Sequence, residues 1–456
     1  MNAASTRAVS PARAAAWRAL LRLAAGTGRL DESLASFPEL EGLSDRDRGL
    51  ANELVTGTVK RRASLDAVLG AFTKAPLRTA GTEVLEALRL AAFQLLFLDR
   101  VPAYAVVDDA VALLAAEDKR VRGFVNAVLR KVSEDGRESF AVLADGDGAR
   151  AWSVRFSCPV WLVKLLRREL GDEATEGFLN AANAAPERCL RVNSLRGTMP
   201  KVRESLATAG YATQGLPGLP AALVYDGPPL ERSLPFRGGL VTPQSRGSQV
   251  AGLVAAAGAG PRARILDLCA APGTKTAQLA AELHEARLTA VDLDERRLAA
   301  MRENLTRLGV ADVEMVCADA LELPVSYEAS FDAVLLDAPC SGLGTLASRP
   351  DLRWQRREAD IARLAQLQRR LLRQAARCVR PGGALTYAVC TLPRLETVDV
   401  VDSLLATGGW STDDLGAQWP GQAHPAAGGF LQCLPPDGGG SGFFIARLRR
   451  GPGAAG

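Results

Sequence analysis

Hydrophobic and polar positions follow one period in the first third of the chain and a different one in the last. Apolar residues recur at helical spacing over 12–25, 48–56, 64–72, 81–98, 104–115 and 121–132, with no strand-like alternation between them. Breaks fall at Gly26 and Gly28, at Leu43-Ser44 and at Pro102. This pattern predicts an all-helical domain over residues 1–140. Its opening segment, Ala12 to Ala25, reads as a surface helix whose apolar stripe is Trp17, Leu20, Leu21 and Leu23. A polar, Gly/Asp-rich stretch (Glu134-Asp135-Gly136, then Asp145-Gly146-Asp147-Gly148) marks the first boundary.

Residues 150–240 are mixed: an amphipathic helix over Trp161–Leu170, a strand over Cys189–Asn193, a helix over Pro200–Gly210 and a Gly/Pro-rich loop over Gly215–Pro220. The expectation is a small α+β connector. From 241 to 450 the apolar runs Arg264–Leu268, Leu288–Val291, Val313–Cys317, Ala333–Leu336 and Ala384–Val389 alternate with helices such as Arg296–Leu308 and Ile361–Cys378. Strands alternating with helices predict a parallel, doubly wound α/β domain of Rossmann-like type. Such sheets bind ligands at the carboxyl ends of their strands, so every candidate residue is judged by whether it stands there.

Composition narrows the chemistry. In 456 residues there are eight cysteines but only two histidines, His284 and His424. The cysteines are scattered without a CxxC pair, which suggests neither a zinc site nor a disulfide framework. Chemistry here falls to Cys, Asp, Lys or a cofactor. The net charge of +4 permits a nucleic-acid partner without demanding one, because local clustering matters more than the total. Two basic clusters occur, Lys60-Arg61-Arg62 and Lys119-Arg120 with Arg122, Arg130 and Lys131, each readable as an RNA contact or as a solvated helix face. The longest weakly polar run, Val250 to Gly260, is about half of what a membrane span needs. No membrane segment and a cytoplasmic address are expected.

The stretch Ile265 to Thr276 reads as a strand, a turn of small residues and a helix start. Small residues let the backbone approach a ligand, and the first N–H groups of the helix favour anionic groups. Gly273-Thr274-Lys275-Thr276 ends like a phosphate-binding loop, but the first glycine that motif requires is missing near Ala270. The second strand ends in Asp292, where a carboxylate can grip a ribose diol, while Asp294 caps the next helix. The third ends in Asp319, where a carboxylate can accept from an exocyclic amine such as adenine's. Gly, Asp and Asp at three successive strand ends point to an adenosine-type cofactor. The lack of GxGxxG favours S-adenosylmethionine over a dinucleotide.

The fourth strand runs through Asp337 into Ala338-Pro339-Cys340-Ser341-Gly342, and the fifth ends in Val389-Cys390-Thr391. Parallel neighbours lie about 4.8 Å apart, so if these two strands are adjacent, Asp337, Cys340 and Cys390 converge on one pocket. A lone cysteine is more often a buried small hydrophobe than a nucleophile. Two of them at neighbouring strand ends, beside an acid and a cofactor turn, favour catalysis. The residue types suit cytosine C5, a poor nucleophile until a thiolate adds to C6 and turns the ring into an enamine. Protonation at N3 helps that addition, and Asp337 is the candidate acid. A free thiol titrates at about 8.5, so the nucleophile needs a positive neighbour such as Lys275.

The motifs Asp267-Leu268-Cys269-Ala270-Ala271-Pro272-Gly273, Asp337-Ala338-Pro339-Cys340-Ser341-Gly342 and Tyr387-Ala388-Val389-Cys390-Thr391 resemble those of the RNA cytosine-5 methyltransferase family. Arg349 to Trp354 is similar to its segment after the fourth strand. Leu43 to Arg48 and Gly123 to Arg130 resemble the NusB-like RNA-binding domain of a bacterial branch acting on small-subunit ribosomal RNA. Arg191-Val192-Asn193 and the tail Gly442 to Arg447 fit that branch as well. The resemblance implies that Cys390 attacks C6 and Cys340 aids release. It places Cys269, Ala270, Ala271, Pro272, Gly273, Thr274 and Lys275 along the methionine end of the cofactor. Asp292 falls on the ribose, Asp319 near adenine, and Asp337 beside the methyl group and the base. The target it implies is 16S RNA, expected to be free of, or early in, small-subunit assembly, and a monomer without metal is expected. Thr274, Val389, Ala318, Ala320 and Ser245 stand where the family usually has Gly, Thr, Gly, Gly and Asp. These changes bear on cofactor affinity and substrate fit, since none removes a reacting group. The rival expectations are a cytosine-5 methyltransferase for tRNA or another RNA, and a non-catalytic RNA-binding protein. A DNA cytosine methyltransferase is disfavoured, because that family takes its nucleophile from the Pro-Cys motif.

Overall fold

The structure, a computed structural model, describes residues 9–27, 30, 37–435 and 441–453. The chain divides into two compact units, Met1–Thr175 with Ser348–Gln355, and Glu176–Ala347 with Arg356–Gly456.

The first unit is helical: Pro11–Ala24, Asp45–Lys60, Arg62–Ala71, Thr82–Phe97, Ala103–Leu113, Lys119–Ala144, Ala149–Arg155 and Val160–Leu170. Ser44 starts the second helix by accepting from Asp47 N at 3.1 Å, with Asp45 and Asp47 in the first turn where the helix dipole favours acids. The first helix leaves Arg18 and Ala24 exposed and turns Leu20, Trp17 and Leu23 of its expected stripe to the core, with an alanine face beside them. Ala12, Ala15, Ala16, Ala19 and Leu20 are buried in the bundle, because methyl side chains let neighbouring helices approach closely. Gly57 has the same role, since a Cβ there would sit 2.0 Å from the Phe93 ring. Lys119–Ala144 runs unbroken through Glu134-Asp135-Gly136, the polar stretch expected to end the domain.

The first basic cluster is neither an open RNA contact nor a solvated face. Lys60 is buried, Arg61 stacks on Phe97 at 4.8 Å and Arg62 on Trp354 at 5.7 Å. Arg353 is fully buried among helix ends, donating to the carbonyls of Lys60, Phe156 and Ser157 at 3.3, 3.3 and 3.0 Å. Helix C-termini leave carbonyls without intrahelical partners and carry partial negative charge, so a guanidinium suits them. Burial, with Arg353 and Arg61 nearby, pushes the Lys60 ammonium down to about 8. The second cluster differs: Lys119, Arg120, Arg130 and Lys131 are exposed on their helix.

The second unit holds two sheets. β1 (Cys189–Val192), β2 (Ala212–Leu216), β3 (Leu219–Asp226) and β4 (Val241–Pro243) form an antiparallel sheet in the order β2-β3-β1-β4. The expected loop over Gly215–Pro220 is only a hairpin tip at Pro217-Gly218. β2 is largely exposed, so it lacks the apolar alternation that would have revealed it. The larger sheet contains β5 (Arg264–Leu268), β6 (Arg287–Asp292), β7 (Val313–Cys317), β8 (Phe331–Asp337), β9 (Val379–Val389), β10 (Trp410–Thr412), β11 (Leu431–Cys433) and β12 (Phe443–Arg450). Its order is β10-β12-β9-β8-β5-β6-β7, with β11 also on β12. β5 to β9 are parallel, but β12 runs antiparallel to β9. The wholly parallel sheet expected is therefore mixed, because the chain returns along the open edge of β9 through the tail Phe443–Arg450.

A buried amide network joins the small sheet to the large one. Arg191 Nε donates to Gln244 Oε1 at 2.8 Å, Gln244 Nε2 to Gln278 Oε1 at 2.7 Å, and Gln278 Nε2 to Gln249 O at 2.9 Å. Asn193 Nδ2 donates to Gly239 O and Leu308 O at 2.9 and 2.7 Å. Ser245, in place of the usual Asp, still caps Arg246–Ala257 by accepting from Ser248 N. Gly252 leaves room for the network, since a Cβ there would meet Gln278 Oε1 at 2.2 Å. Gly252→Ala is expected to cost about 1–3 kcal/mol by overpacking, read as a lower midpoint in thermal or urea unfolding.

Candidate active site

The site is built at the carboxyl ends of the parallel strands. β5 ends in Asp267-Leu268, and the chain turns through Cys269 and Gly273 with positive φ of 59° and 87° before the helix Thr274–Glu282. Gly273 cannot be replaced without movement, because a Cβ there would sit 2.6 Å from Met301 Cγ. The turn is tied to the next strand: Ala270 N donates to Val291 O at 3.1 Å and Ala271 N to Asp292 Oδ2 at 3.0 Å. Asp292 Oδ1 also accepts from Asp294 N at 3.2 Å and Arg297 Nη1 at 3.3 Å, so this carboxylate organises its own loop. Asp294 caps Glu295–Leu308 as expected, accepting from Arg296 N at 2.8 Å. Asp319 follows β7, with Oδ1 accepting from Leu321 N at 2.8 Å.

Asp267 lies beneath the turn. Its Oδ2 accepts from Thr276 Oγ1 at 2.6 Å, while its buried Oδ1 has no hydrogen-bond partner. Burial, only partly offset by that bond, pushes the carboxyl up to about 7. Burial, helped by the neighbouring Asp337, Asp292 and Asp267 charges, pushes the Cys269 thiol up to about 12. Cys269 is therefore a thiol at neutral pH and a wall of the turn.

β8 and β9 are neighbours, with Asp337 opposite Ala388. This adjacency brings Cys340 Sγ and Cys390 Sγ to 3.4 Å. Lys275 Nζ donates to Asp337 Oδ2 at 2.7 Å and lies 5.4 Å from the Phe443 ring centre. Burial alone would weaken the ammonium's hold on its proton. The charges of Asp337, Asp267 and Cys390 outweigh that, and the Lys275 pKa is raised. The Cys340 thiol is raised well above its usual value by its bond to Cys390, then by burial and the charges of Cys390 and Glu396. Val389, in place of the usual Thr, is fully buried in the core beneath the site.

All the reacting side chains of the sequence reading thus meet within one site, while several of its supports went unseen. Arg297 bonds both Asp292 and the Ala271 carbonyl. Ser341, Gln368, Thr391 and Glu396 form a buried cluster behind the cysteines. Ser341 and Thr391 lie inside the two cysteine motifs, whereas Gln368 and Glu396 stand outside them. Glu396 shows its place only in the structure, where it is completely buried. Among the described residues no His/Cys/Asp/Glu cluster could hold a metal, and no helix is long and apolar enough to cross a membrane.

Comparison with known proteins is consistent along the whole chain. A family model described as 16S rRNA methyltransferase RsmB/F matches residues 259–449, a NusB family model 10–134, and a ferredoxin-like domain of RsmF/B-like methyltransferases 158–230. Fold and site together define a Rossmann-like methyltransferase domain preceded by a ferredoxin-like connector and a NusB domain. The chain is 35% identical over 446 residues to ribosomal RNA small subunit methyltransferase B of Pseudomonas syringae pv. tomato, covering 96% of each protein. It is 31% identical over 444 residues to the probable ribosomal RNA small subunit methyltransferase B of Bacillus subtilis, covering 95% of this chain and 98% of that one. The chain belongs to the ribosomal RNA small subunit methyltransferase B family. Among solved structures, PH0851 matches 97% of the chain and 100% of its own at a TM-score of 0.79 and 25% identity. NSun6 from Pyrococcus horikoshii, solved with SFG, shares the fold over 63% of this chain and 97% of its own, at a TM-score of 0.58 and 23% identity.

Proposed function

We propose that this protein methylates C5 of a cytosine in 16S ribosomal RNA, through a covalent bond between Cys390 Sγ and C6 of the ring. The observation that carries the reading is the meeting of two thiols at 3.4 Å beside the Lys275–Asp337 ion pair. A methyltransferase acting on a ring nitrogen or a ribose hydroxyl needs no nucleophilic sulphur, and one that adds to C6 needs one. The relatives' names supply the RNA class. The exposed Lys119, Arg120, Arg130 and Lys131 suit its phosphates. The proposal includes the three-part layout (1–140, 150–240 and 241–450), a cytoplasmic monomer, and 16S RNA free of or early in small-subunit assembly.

The residues present fit S-adenosylmethionine. The turn Cys269 to Lys275 lets the ligand approach the backbone, Asp292 and Asp319 stand at the next two strand ends, and the partnerless Asp267 Oδ1 can accept from a ligand N–H. Bound there, the cofactor supplies an electrophilic methyl group on a sulfonium. Cys390, with the Lys275 ammonium close by to favour its thiolate, adds to C6. As the Sγ–C6 bond forms, N3 takes a proton from the Lys275–Asp337 pair through Asp337. The electron pair reaches C5, which would take the methyl group as the carbon–sulfonium bond breaks and its electrons stay on the cofactor's sulphur. A base then removes the C5 proton, the Sγ–C6 bond breaks, Cys390 leaves as thiolate, and N3 returns its proton to the Lys275–Asp337 pair. Cys340 carries a proton within reach of that sulphur at neutral pH, which suits it to assist release.

The test is bisulfite sequencing of 16S RNA and tRNA from cells with and without this protein. One 5-methylcytosine in 16S RNA should disappear with the protein. A mark lost only from tRNA would remove the ribosomal assignment, and no loss in either would return the protein to a binding role.

A further inference from the structure

Glu396 is a fully buried carboxylate to which the chemistry above gives no part. Its Oε1 accepts from Ser341 N at 2.8 Å and from Gln368 Nε2 at 2.9 Å. Its Oε2 accepts from Ser341 Oγ at 2.6 Å and Thr391 Oγ1 at 3.3 Å, and those two hydroxyls lie 2.6 Å apart. Ser341 directly follows Cys340 in the chain, and Thr391 directly follows Cys390. Gln368, on the helix Glu358–Cys378, also donates to Pro339 O at 3.0 Å, on the other side of Cys340. The main chain of Glu396 is anchored in turn, its carbonyl accepting from Tyr387 Oη at 2.7 Å.

We propose that Glu396 is a positioning residue that sets the spacing and aim of the two thiols by holding Ser341 and Thr391 on one carboxylate. The inference rests on the reading of Cys390 as the attacking thiol and concerns how that thiol is held. The side-chain bonds of Glu396 go to Ser341, Gln368 and Thr391, so its action passes through these neighbours.

A carboxylate suits this place, where burial pushes its pKa up against the opposing bonds from Ser341, Gln368 and Thr391. Burying a charge is unfavourable unless it is fully hydrogen-bonded, and an acceptor-only group with two oxygens can take four donors. Glutamine, of the same shape, would turn an NH2 group toward the Ser341 N–H and the Gln368 amide, or toward the two hydroxyls. Turned toward the hydroxyls, that group would make Ser341 Oγ and Thr391 Oγ1 acceptors where they were donors, and in either orientation charge-assisted bonds give way to weaker neutral ones, so the two turns are held more loosely. Aspartate keeps the charge but is shorter by one methylene. Glu396 has a second effect, because its charge helps to keep Cys340 protonated, alongside that of Cys390. A residue that merely filled the core would influence neither the distance between the sulphurs nor the proton on one of them.

The experiment uses the full chain and two readouts, one of them without RNA. Diamide takes two hydrogens from neighbouring thiols to close a disulfide and is itself reduced to the hydrazine. Peptide mapping then gives the rate of the Cys340–Cys390 cross-link. The second readout is methylation kinetics on 16S RNA fragments, with 5-fluorocytosine RNA to trap the covalent adduct. For Glu396→Gln, S-adenosylmethionine binding and its KM should stay as in the wild type. kcat should fall about 100-fold and the cross-link should slow about tenfold, since small misplacements of reacting groups cost that much. Glu396→Asp should recover part of both rates. Wild-type kcat and cross-linking in Glu396→Gln would overturn the proposal, as would equal losses in kcat and cofactor binding. If Glu396→Gln does not fold, Thr391→Val leaves Glu396 three donors, and the same two rates decide the matter. A wild-type protein that forms no adduct sinks the covalent role of Cys390 itself, and the cross-linking rates then judge the hold of Glu396 on the two thiols separately.

Discussion

Cys390→Ala is expected to lower methyl transfer by at least about 10⁴-fold, to the limit of detection, because a nucleophile that opens the reaction has no substitute in the site. Cys340→Ala should behave differently. The attacking thiol remains, so the enzyme should still form the Sγ–C6 bond while release slows by about 10²–10³-fold, the range of a lost proton-transfer partner. The measurement is transfer of labelled methyl groups to 16S RNA, with a denaturing gel to reveal protein–RNA adduct. Wild-type protein should show little adduct at steady state, Cys340→Ala a persistent band, and Cys390→Ala none. The 3.4 Å separation permits either sulphur to donate to the other, so geometry alone does not rank them. The raised Cys340 thiol, bonded to Cys390, buried and beside Glu396, suits the releasing role, and the gel decides which sulphur attacks. The opposite result, an active Cys390→Ala and a dead Cys340→Ala, would exchange their roles.

The second large effect belongs to the Lys275–Asp337 pair. Lys275 is 9% exposed at the side chain and Asp337 is 32% exposed, so removing the carboxylate strands an ammonium that water hardly reaches. Asp337→Ala should therefore cost about 2 kcal/mol of stability, less than a fully buried pair because Asp337 is partly screened. It should also cost at least about 10²-fold in kcat, as a general acid does. The pH dependence has a definite sign. In the wild type the pair raises the Lys275 pKa above its unfolded value, so its contribution is complete below the unfolded lysine pKa and is lost as pH rises through the folded one. In Asp337→Ala burial acts without that partner, and the ammonium becomes a liability that deprotonation relieves. Melting curves from neutral pH to about pH 10, near the ordinary lysine pKa, should show the gap between wild type and variant narrowing as pH rises. A gap that is constant over this range would mean that the loss is one of packing and not of charge.

Much of this molecule is legible along the chain because its signals are local. The strand–turn–helix around Asp267 to Thr276, the cap at Asp294 and the acids at Asp292 and Asp319 each depend on a few consecutive residues and lie where the sequence places them. The first helix was misread for the opposite reason. Its large side chains suggested an apolar stripe, of which Leu20 is buried, but four alanines share the buried face, and their smallness matters only against a neighbouring helix. Lys60-Arg61-Arg62 looked like surface charge because sequence does not reveal that Phe97, Trp354 and the helix ends receive it. β12 escaped the βα rhythm because an antiparallel strand needs no crossover helix to announce it.

Cys390 shows where sequence stops and structure begins. The sequence by itself determined that chemistry here would fall to sulphur and carboxylate, since histidine is almost absent, and that Cys340 and Cys390 close successive strands of a cofactor-binding sheet. It also determined the family, through motifs that are short and contiguous. The tertiary structure alone decided that those strands are neighbours, that the two sulphurs meet, that Lys275 pairs with Asp337, and that Glu396 holds both cysteine turns from behind. The physical reason is range. Turns and caps are made by hydrogen bonds between residues close in sequence, whereas this site is made by strand pairing and buried polar contacts between residues some 50 positions or more apart, such as Cys340 with Cys390 and Lys275 with Asp337.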